Sequence, residues 1–198
     1  MDEDRTVTPK VGVPDLGPHD RVLRAAKDII LERGLTNLRL AEIGRRTHMS
    51  TGHVLYYFGT KDRILIETLK WIEEDLAVQR RVKIADAPPG WGQLRVFIDC
   101  YLPVGVDDPV WALWLEAWAQ RHREAYATEV SQSAAAWDRD LRALLRRGRR
   151  GGQFAGGAGS FSKRLIVLMD GLAIQILQGT RDRADALRLT KEQCQLEL

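Results

Sequence analysis

Cysteine is scarce in this chain. Cys100 and Cys194 are the only two, they stand far apart, and neither belongs to a CxxC pair. A disulfide scaffold or a cysteine zinc site is therefore not expected, and reduced thiols are. Histidine is scarce as well. The four, His19, His48, His53 and His122, fall in no HExxH or other ligand spacing, so no metal site is expected. No Ser/His/Asp or Cys/His set offers nucleophilic catalysis, so neither an enzyme nor a cofactor is expected. No apolar run reaches the ~18 residues that a membrane span needs. The opening stretch, MDEDRTVTPKVGVPDLGP, lacks the basic-then-apolar layout of an export signal. A cytoplasmic protein is the expectation. Period-two alternation is never sustained, so no strand is expected either.

What is present is ordinary in bulk and uneven in detail. Apolar residues make up 44% and charged residues 29%, the balance of a globular protein with one sizeable core. A net charge of +3 names no partner. Its distribution says more: between Arg33 and Arg63, Arg33, Arg39, Arg45, Arg46, Lys61 and Arg63 outnumber Glu42 and Asp62. That local excess suits a polyanion or a solvated helical face.

Residues 1–18 carry three prolines and two glycines without apolar periodicity and read as a flexible arm. A helix follows from Asp20, a candidate N-cap, to Arg33, with Gly34 as its stop. LRLAEIGRR makes a short helix, Thr47-His48-Met49 a break, and Ser50 caps a second short helix to about Tyr57. Helices this short persist only when packed on something else. Two of them joined by a tight turn and packed on a third describe a helix-turn-helix, whose second helix lies in the major groove of DNA in that motif's usual setting. Glycine commonly serves such a turn, and His48 holds the position here. A long helix then runs from Lys61 to about Ile84. Others are expected over Trp91–Leu102, Asp108–Arg123 and Glu124–Arg147, over a Ser160-capped segment to Gln178, and from Thr190, where Thr190-x-x-Gln193 has the form of a capping box. The expected fold is all-α: an N-terminal three-helix unit (19–66) joined by a long helix to a larger helical domain (67–198).

The stretch IGRRTHMSTGHVLYYFGTKDRIL resembles the TetR family of transcriptional regulators, whose usual pattern is I-A-x-x-A-G-V-S-x-G-x-[LI]-Y-x-H-F-x-x-K-x-x-L. The STG and YYF variants, and DGLAIQILQG further on, are most similar to the BetI-like branch. Gly44, Thr47, His48 and Met49 stand where Ala, Ala, Gly and Val are usual, Leu55 replaces a tyrosine, and Tyr57 replaces a histidine. The resemblance implies a homodimer that binds a double-stranded operator and responds to a small-molecule effector, generally as a repressor. Most hydrogen bonds to DNA go to phosphates. Tyr56, Tyr57, Lys61 and Arg39 suit that role, and Leu55 lacks the hydroxyl that would. Core packing is the other reading of the two tyrosines. Ser50, Thr51 and His53 are short polar side chains near the recognition helix N-terminus, within reach of base edges, and Gly52 permits close approach.

In the larger domain, Trp111, Trp114 and Trp118 share one helical stripe, with Trp91, Phe97 and Tyr101 on the helix before. They pack a core or line an apolar effector pocket of the kind that binds small molecules. Glu116 and Asp170 sit in apolar helices, where a buried carboxylate pairs internally or meets a cationic or hydrogen-bonding ligand. The segment from Ser160 to Gln178 is apolar nearly all round, which calls for cover from a second subunit, with Leu172 and Ile176 expected in that contact. Six arginines between Arg139 and Arg150 against Asp140 read as dipole-offsetting, solvating charge, or as a second nucleic-acid surface. A constitutive DNA binder acting through a protein partner, and a helical small-molecule enzyme, are the alternative functions.

Overall fold

The computed structural model describes residues 17–155 and 158–198, and every regular element among them is helical. In chain order they are α1 (Pro18–Arg33), α2 (Leu40–Thr47), α3 (Thr51–Phe58), α4 (Lys61–Asp86), α5 (Trp91–Tyr101), α6 (Pro109–Ala119), α7 (Glu124–Arg150), α8 (Ala158–Leu177) and α9 (Arg183–Glu197). The expected arm lies outside the described residues except for Gly17 and Pro18.

Two cores divide the molecule. The first gathers Val22 and Ile29 of α1, Ile43 of α2, Val54 and Phe58 of α3 and Ile64 and Leu69 of α4, with Trp114 of α6 and Tyr126 of α7. The eight-residue helices α2 and α3 cannot stand alone. Ile43, Val54 and Phe58, all almost fully buried, anchor them, each contributing about 1.5–3 kcal/mol by leaving water. The second core joins Phe97 of α5, Leu141 and Leu144 of α7, Phe161, Leu165 and Met169 of α8, and Cys194 of α9. The long helices α4 and α7 run through both.

The tight turn is as the sequence suggests. His48 adopts the left-handed conformation (φ 56°, ψ 35°) and is the one non-glycine with positive φ among the described residues. For an L-residue this costs about 1–2 kcal/mol. The Met49 N–H donates to the Gly44 carbonyl across the turn, 2.9 Å away.

Several element ends differ from the sequence reading. The first helix begins at Pro18 after Gly17, so Asp20 supplies negative charge in the first turn and is no cap. Helix α6 stops at Ala119 rather than Arg123, because the bonding there tightens to i−3, from the Gln120 N–H to the Ala117 carbonyl and from the Arg121 N–H to the Trp118 carbonyl. Ser160 lies inside α8. The last helix starts at Arg183, capped by Asp182, whose side chain accepts from the Asp185 N–H. Thr190 is buried in mid-helix, its hydroxyl donating to the Ala186 carbonyl. Its capping-box spacing is thus fulfilled by a residue that bonds its own helix.

Candidate nucleic-acid interface and ligand cavity

Helix α3 is held by its first and last turns. Ser50 Oγ accepts from the His53 N–H at 3.1 Å, a standard N-cap. Phe58 is buried and stacks on His19 of α1 at 4.5 Å between ring centroids. The surface left over carries Thr51, Gly52 and His53, all exposed, and Tyr56, which is 81% exposed. A ring that stays in water at that extent adds nothing to the core; only an outside partner would use it. Tyr57 is half-buried, edge-on to Tyr56 at 5.4 Å and tilted against His53 at 5.3 Å, so it supports the others. Leu55 is half-buried. No side chain blocks the approach to Gly52.

The charges around α3 sort differently from the sequence count. Glu42 takes Arg33, Arg45 and Arg46, and Arg46 also reaches Glu32 at 2.5 Å. Arg63 lies 2.7 Å from Glu67. The bonds from Arg46 and Arg45 hold the Glu32 and Glu42 carboxyls below their ordinary range. Among the described residues, Arg39 at the N-cap of α2 and Lys61 at the first turn of α4 are the cations of this patch without an acidic partner. The net surface charge facing outward therefore rests on two of the six basic residues that the sequence offered.

In the larger domain a cavity of about 320 Å³ opens between α4, α5, α6, α7 and α8, near the lower end of ligand-site sizes. Of the residues expected there, Tyr101, Trp111, Trp114, Trp118 and Asp170 line it. Three do not. Trp91 is half-exposed and stands edge-on to Phe154. Phe97 is fully buried behind Tyr101 and Trp137. Glu116 points the other way, its Oε2 accepting from the Thr36 N–H at 2.9 Å, so it joins α6 to the loop between α1 and α2.

One wall is an aromatic corner. Trp111 packs edge-on to Trp118 at 5.9 Å and Tyr101 edge-on to Trp137 at 4.9 Å. The Trp111 indole N–H donates to the Tyr101 carbonyl at 2.9 Å. The Tyr101 hydroxyl donates to Asp170 at 2.5 Å. Burial pushes the Asp170 carboxyl up, against the pull of that hydrogen bond, and pushes the Tyr101 phenol up further with Asp170 beside it. The tyrosine is therefore the donor.

The opposite wall went unseen in the sequence. Arg80 of α4 is 2% exposed, its guanidinium 3.6 Å from the Trp137 ring centroid and 2.9 Å from Asp140. Its Nε and Nη1 find no hydrogen-bond acceptor, and neither does either oxygen of Glu73 find a donor, although Nη1 lies 4.0 Å from Glu73. Burial pushes the Glu73 carboxyl up and Arg80 pulls it back. Unpaired buried donors and acceptors at a cavity wall are what a ligand can satisfy. Trp137 had a signal: Val130, Ala134 and Trp137 form a helical stripe, and all line the cavity. Arg80 had none, since Arg81 beside it is exposed.

A trihelical DNA-reading unit joined through a long helix to a helical domain with an aromatic cavity defines a class, the one-chain helix-turn-helix regulators. Residues 22–68 match the model of the tetR family of bacterial regulatory proteins, and residues 92–198 match that of the BetI-type transcriptional repressor C-terminal domain. The chain belongs to the TetR family of transcriptional regulators, with a BetI-type C-terminal domain. It is 32% identical over 120 residues to the HTH-type transcriptional regulator BetI of Burkholderia mallei, an alignment covering 59% of this chain and 60% of that protein. The matched region thus spans about three-fifths of the curated relative's length. Among solved structures, a regulator from Saccharomonospora viridis in complex with choline is similar, with a TM-score of 0.76 and 23% identity over 88% of this chain and 93% of that one. A TetR regulator from Haloarcula marismortui has a TM-score of 0.79 at 20% identity, covering 91% and 98%. These two carry the fold. Among the described residues no helix is long and apolar enough to cross a membrane.

Proposed function

We propose that the protein is a ligand-responsive homodimeric repressor that leaves a palindromic operator when a small organic cation enters the cavity. The observation that carries the reading is the double use of α6. Trp111, Trp114 and Trp118 face the cavity, while Glu116 on the same helix holds the Thr36 N–H and Leu113 and Ala117 pack in the DNA-side core. A ligand that shifts α6 against α1 changes the placement of α3. The cavity's chemistry favours a cation: aromatic faces attract one electrostatically, and Asp170 has no internal cation to neutralise it among the described residues. Choline, found in the Saccharomonospora viridis neighbour, is of that class.

On this reading Thr51 and His53 read base edges and Tyr56, Lys61 and Arg39 hold phosphates, while Ser50 caps α3. Genomic fragments retained by the purified protein should share an inverted repeat with half-sites about one helical turn, ~34–36 Å, or a multiple apart. Adding choline should release them. Retention without a shared motif would overturn the reading.

The dimer contact belongs to another face of α8 than the sequence suggests. Leu172 and Ile176 are 4% and 2% exposed within one protomer, so they pack its core. The outward stripe carries Val167, 70% exposed, then Gly171 and half-buried Ile174. Nothing lies within 4 Å of where a Cβ at Gly171 would stand, so this stripe, one turn beyond exposed Lys163 and Arg164, is open to a second copy. Val167→Arg with Gly171→Arg should leave the protomer folded and shift light scattering from dimer to monomer. Wild-type protein that is already monomeric at micromolar concentration would exclude this interface.

A further inference from the structure

Among the described residues, the largest cluster of unpaired positive charge does not lie on the helix-turn-helix. Around α2 and α3 most arginines are held by Glu32, Glu42 and Glu67. On the closing turns of α7, Arg139, Arg146, Arg147, Arg149 and Arg150 are all exposed, and among the described residues none of them is ion-paired. Arg142, between them, is paired with Asp138. Spacings of seven and four residues place Arg139, Arg146 and Arg150 on one line of the helix, with Arg147 and Arg149 to either side.

A helix C-terminus carries the equivalent of about half a negative charge. One arginine offsets it; five exceed it about tenfold, and like charges one turn apart repel. Dipole compensation therefore does not account for the cluster. Beside it stands an aromatic ring that the cavity does not use. Trp91 is 40% exposed and packs edge-on to Phe154 at 5.4 Å. Phe154 in turn fills the space over Gly148, where it leaves no room for a side chain. Guanidiniums offer paired N–H donors that match phosphate oxygens, and a paired duplex exposes no base face for the indole to stack on, so the arginines alone carry the match. The line from Arg139 to Arg150 is about 16 Å long, roughly the span of five phosphates along one strand of a duplex.

Position decides what this surface can do. The N-terminal end of α7 touches the DNA-reading unit, where Arg123 pairs with Asp62 and Tyr126 enters the first core. With 27 residues, α7 is about 40 Å long, which puts its basic end far from α3. A straight duplex seated on α3 does not reach it.

We propose that the C-terminal end of α7 is a second surface for the phosphate backbone of duplex DNA, without sequence preference, so that one molecule holds two DNA segments at opposite poles. The proposal does not depend on what the cavity binds. It is tested with full-length protein on a bead-bound random-sequence duplex offered a second, fluorescent random duplex, and with random-duplex affinity measured across a salt series. The four-site variant Arg146→Gln, Arg147→Gln, Arg149→Gln, Arg150→Gln changes only exposed side chains, and circular dichroism checks that it stays folded. Wild type should capture the second duplex. The variant should lose that capture, and its log-affinity against log-salt slope should fall by about 3–4 units per protomer, one for each lost phosphate contact. A second variant, Tyr56→Ala with Lys61→Ala, should keep the steeper salt dependence at the α7 end. Equal capture and equal slopes for wild type and the four-site variant would overturn the proposal. So would wild type that binds phosphatidylserine vesicles through these arginines while capturing no second duplex.

Discussion

Arg80→Met should lower the melting temperature by about 6–12 °C, the effect of losing roughly 3 kcal/mol in a domain of this size. The guanidinium is buried between the Trp137 face, Asp140 and Glu73. Methionine fills similar volume but leaves Glu73 in the interior with no cation. Asp140 is a quarter exposed and can turn to water, so most of the loss falls on Glu73. Burial already holds that carboxyl above its ordinary 4.5, so over a window upward from 4.5 the folded protein binds more protons than the unfolded chain. Stability therefore falls as pH rises through that window. Removing Arg80 lifts the folded-state value further and widens the window. The variant should lose more stability at pH 8 than at pH 5 in urea melts. Adding Glu73→Gln should restore part of it and flatten the pH dependence. An Arg80→Met protein as stable as wild type at both pH values would show that Arg80 is not balancing a buried charge.

Much of the fold was open to reading because its signals are local. The turn at His48 follows from two short apolar patterns separated by three residues, and the Trp111, Trp114, Trp118 stripe follows from helical spacing alone. What escaped depends on which way a helix turns and what lies across from it. Glu116 follows Trp114 by two residues, more than half a turn around α6, and so it faces Thr36 instead of the cavity. Trp91 stands with the aromatics in sequence but at the far end of α5 from Tyr101. Arg80 reads as one of two adjacent surface arginines until Trp137, distant in the chain, covers it. Thr190-x-x-Gln193 shows the limit of a cap motif: the same spacing occurs inside a helix that Asp182 has already begun. Leu172 and Ile176 carry the apolar signal of α8, yet they are buried in the protomer's own second core, where α7 and α9 pack on α8. The exposed face of α8 is marked by weaker residues, Val167 and Gly171.

Asp170→Asn should weaken binding of tetramethylammonium, a bare quaternary cation, by about 30–150-fold, equivalent to 2–3 kcal/mol for a charge-assisted contact in a partly dry site. The carboxylate supplies the negative charge, and Tyr101, Trp111 and Trp118 supply aromatic surface around it. Asparagine keeps the shape and still accepts from the Tyr101 hydroxyl, so the change isolates charge. Wild-type affinity should also depend on pH. Burial raises the Asp170 carboxyl above its ordinary 3.8, while the Tyr101 bond lowers it. Only the ionised form attracts a cation, so affinity should fall as pH is lowered toward and through that raised value. The asparagine variant should bind weakly and evenly across the same range. Tyr101→Phe removes the one bond that favours the ionised form, so its loss of affinity should begin at a higher pH than in wild type. Calorimetric titrations at steps from pH 4 upward separate these cases. A wild-type affinity that is flat over the range and unchanged in Asp170→Asn would remove the carboxylate from ligand recognition and leave cation attraction to the indoles alone.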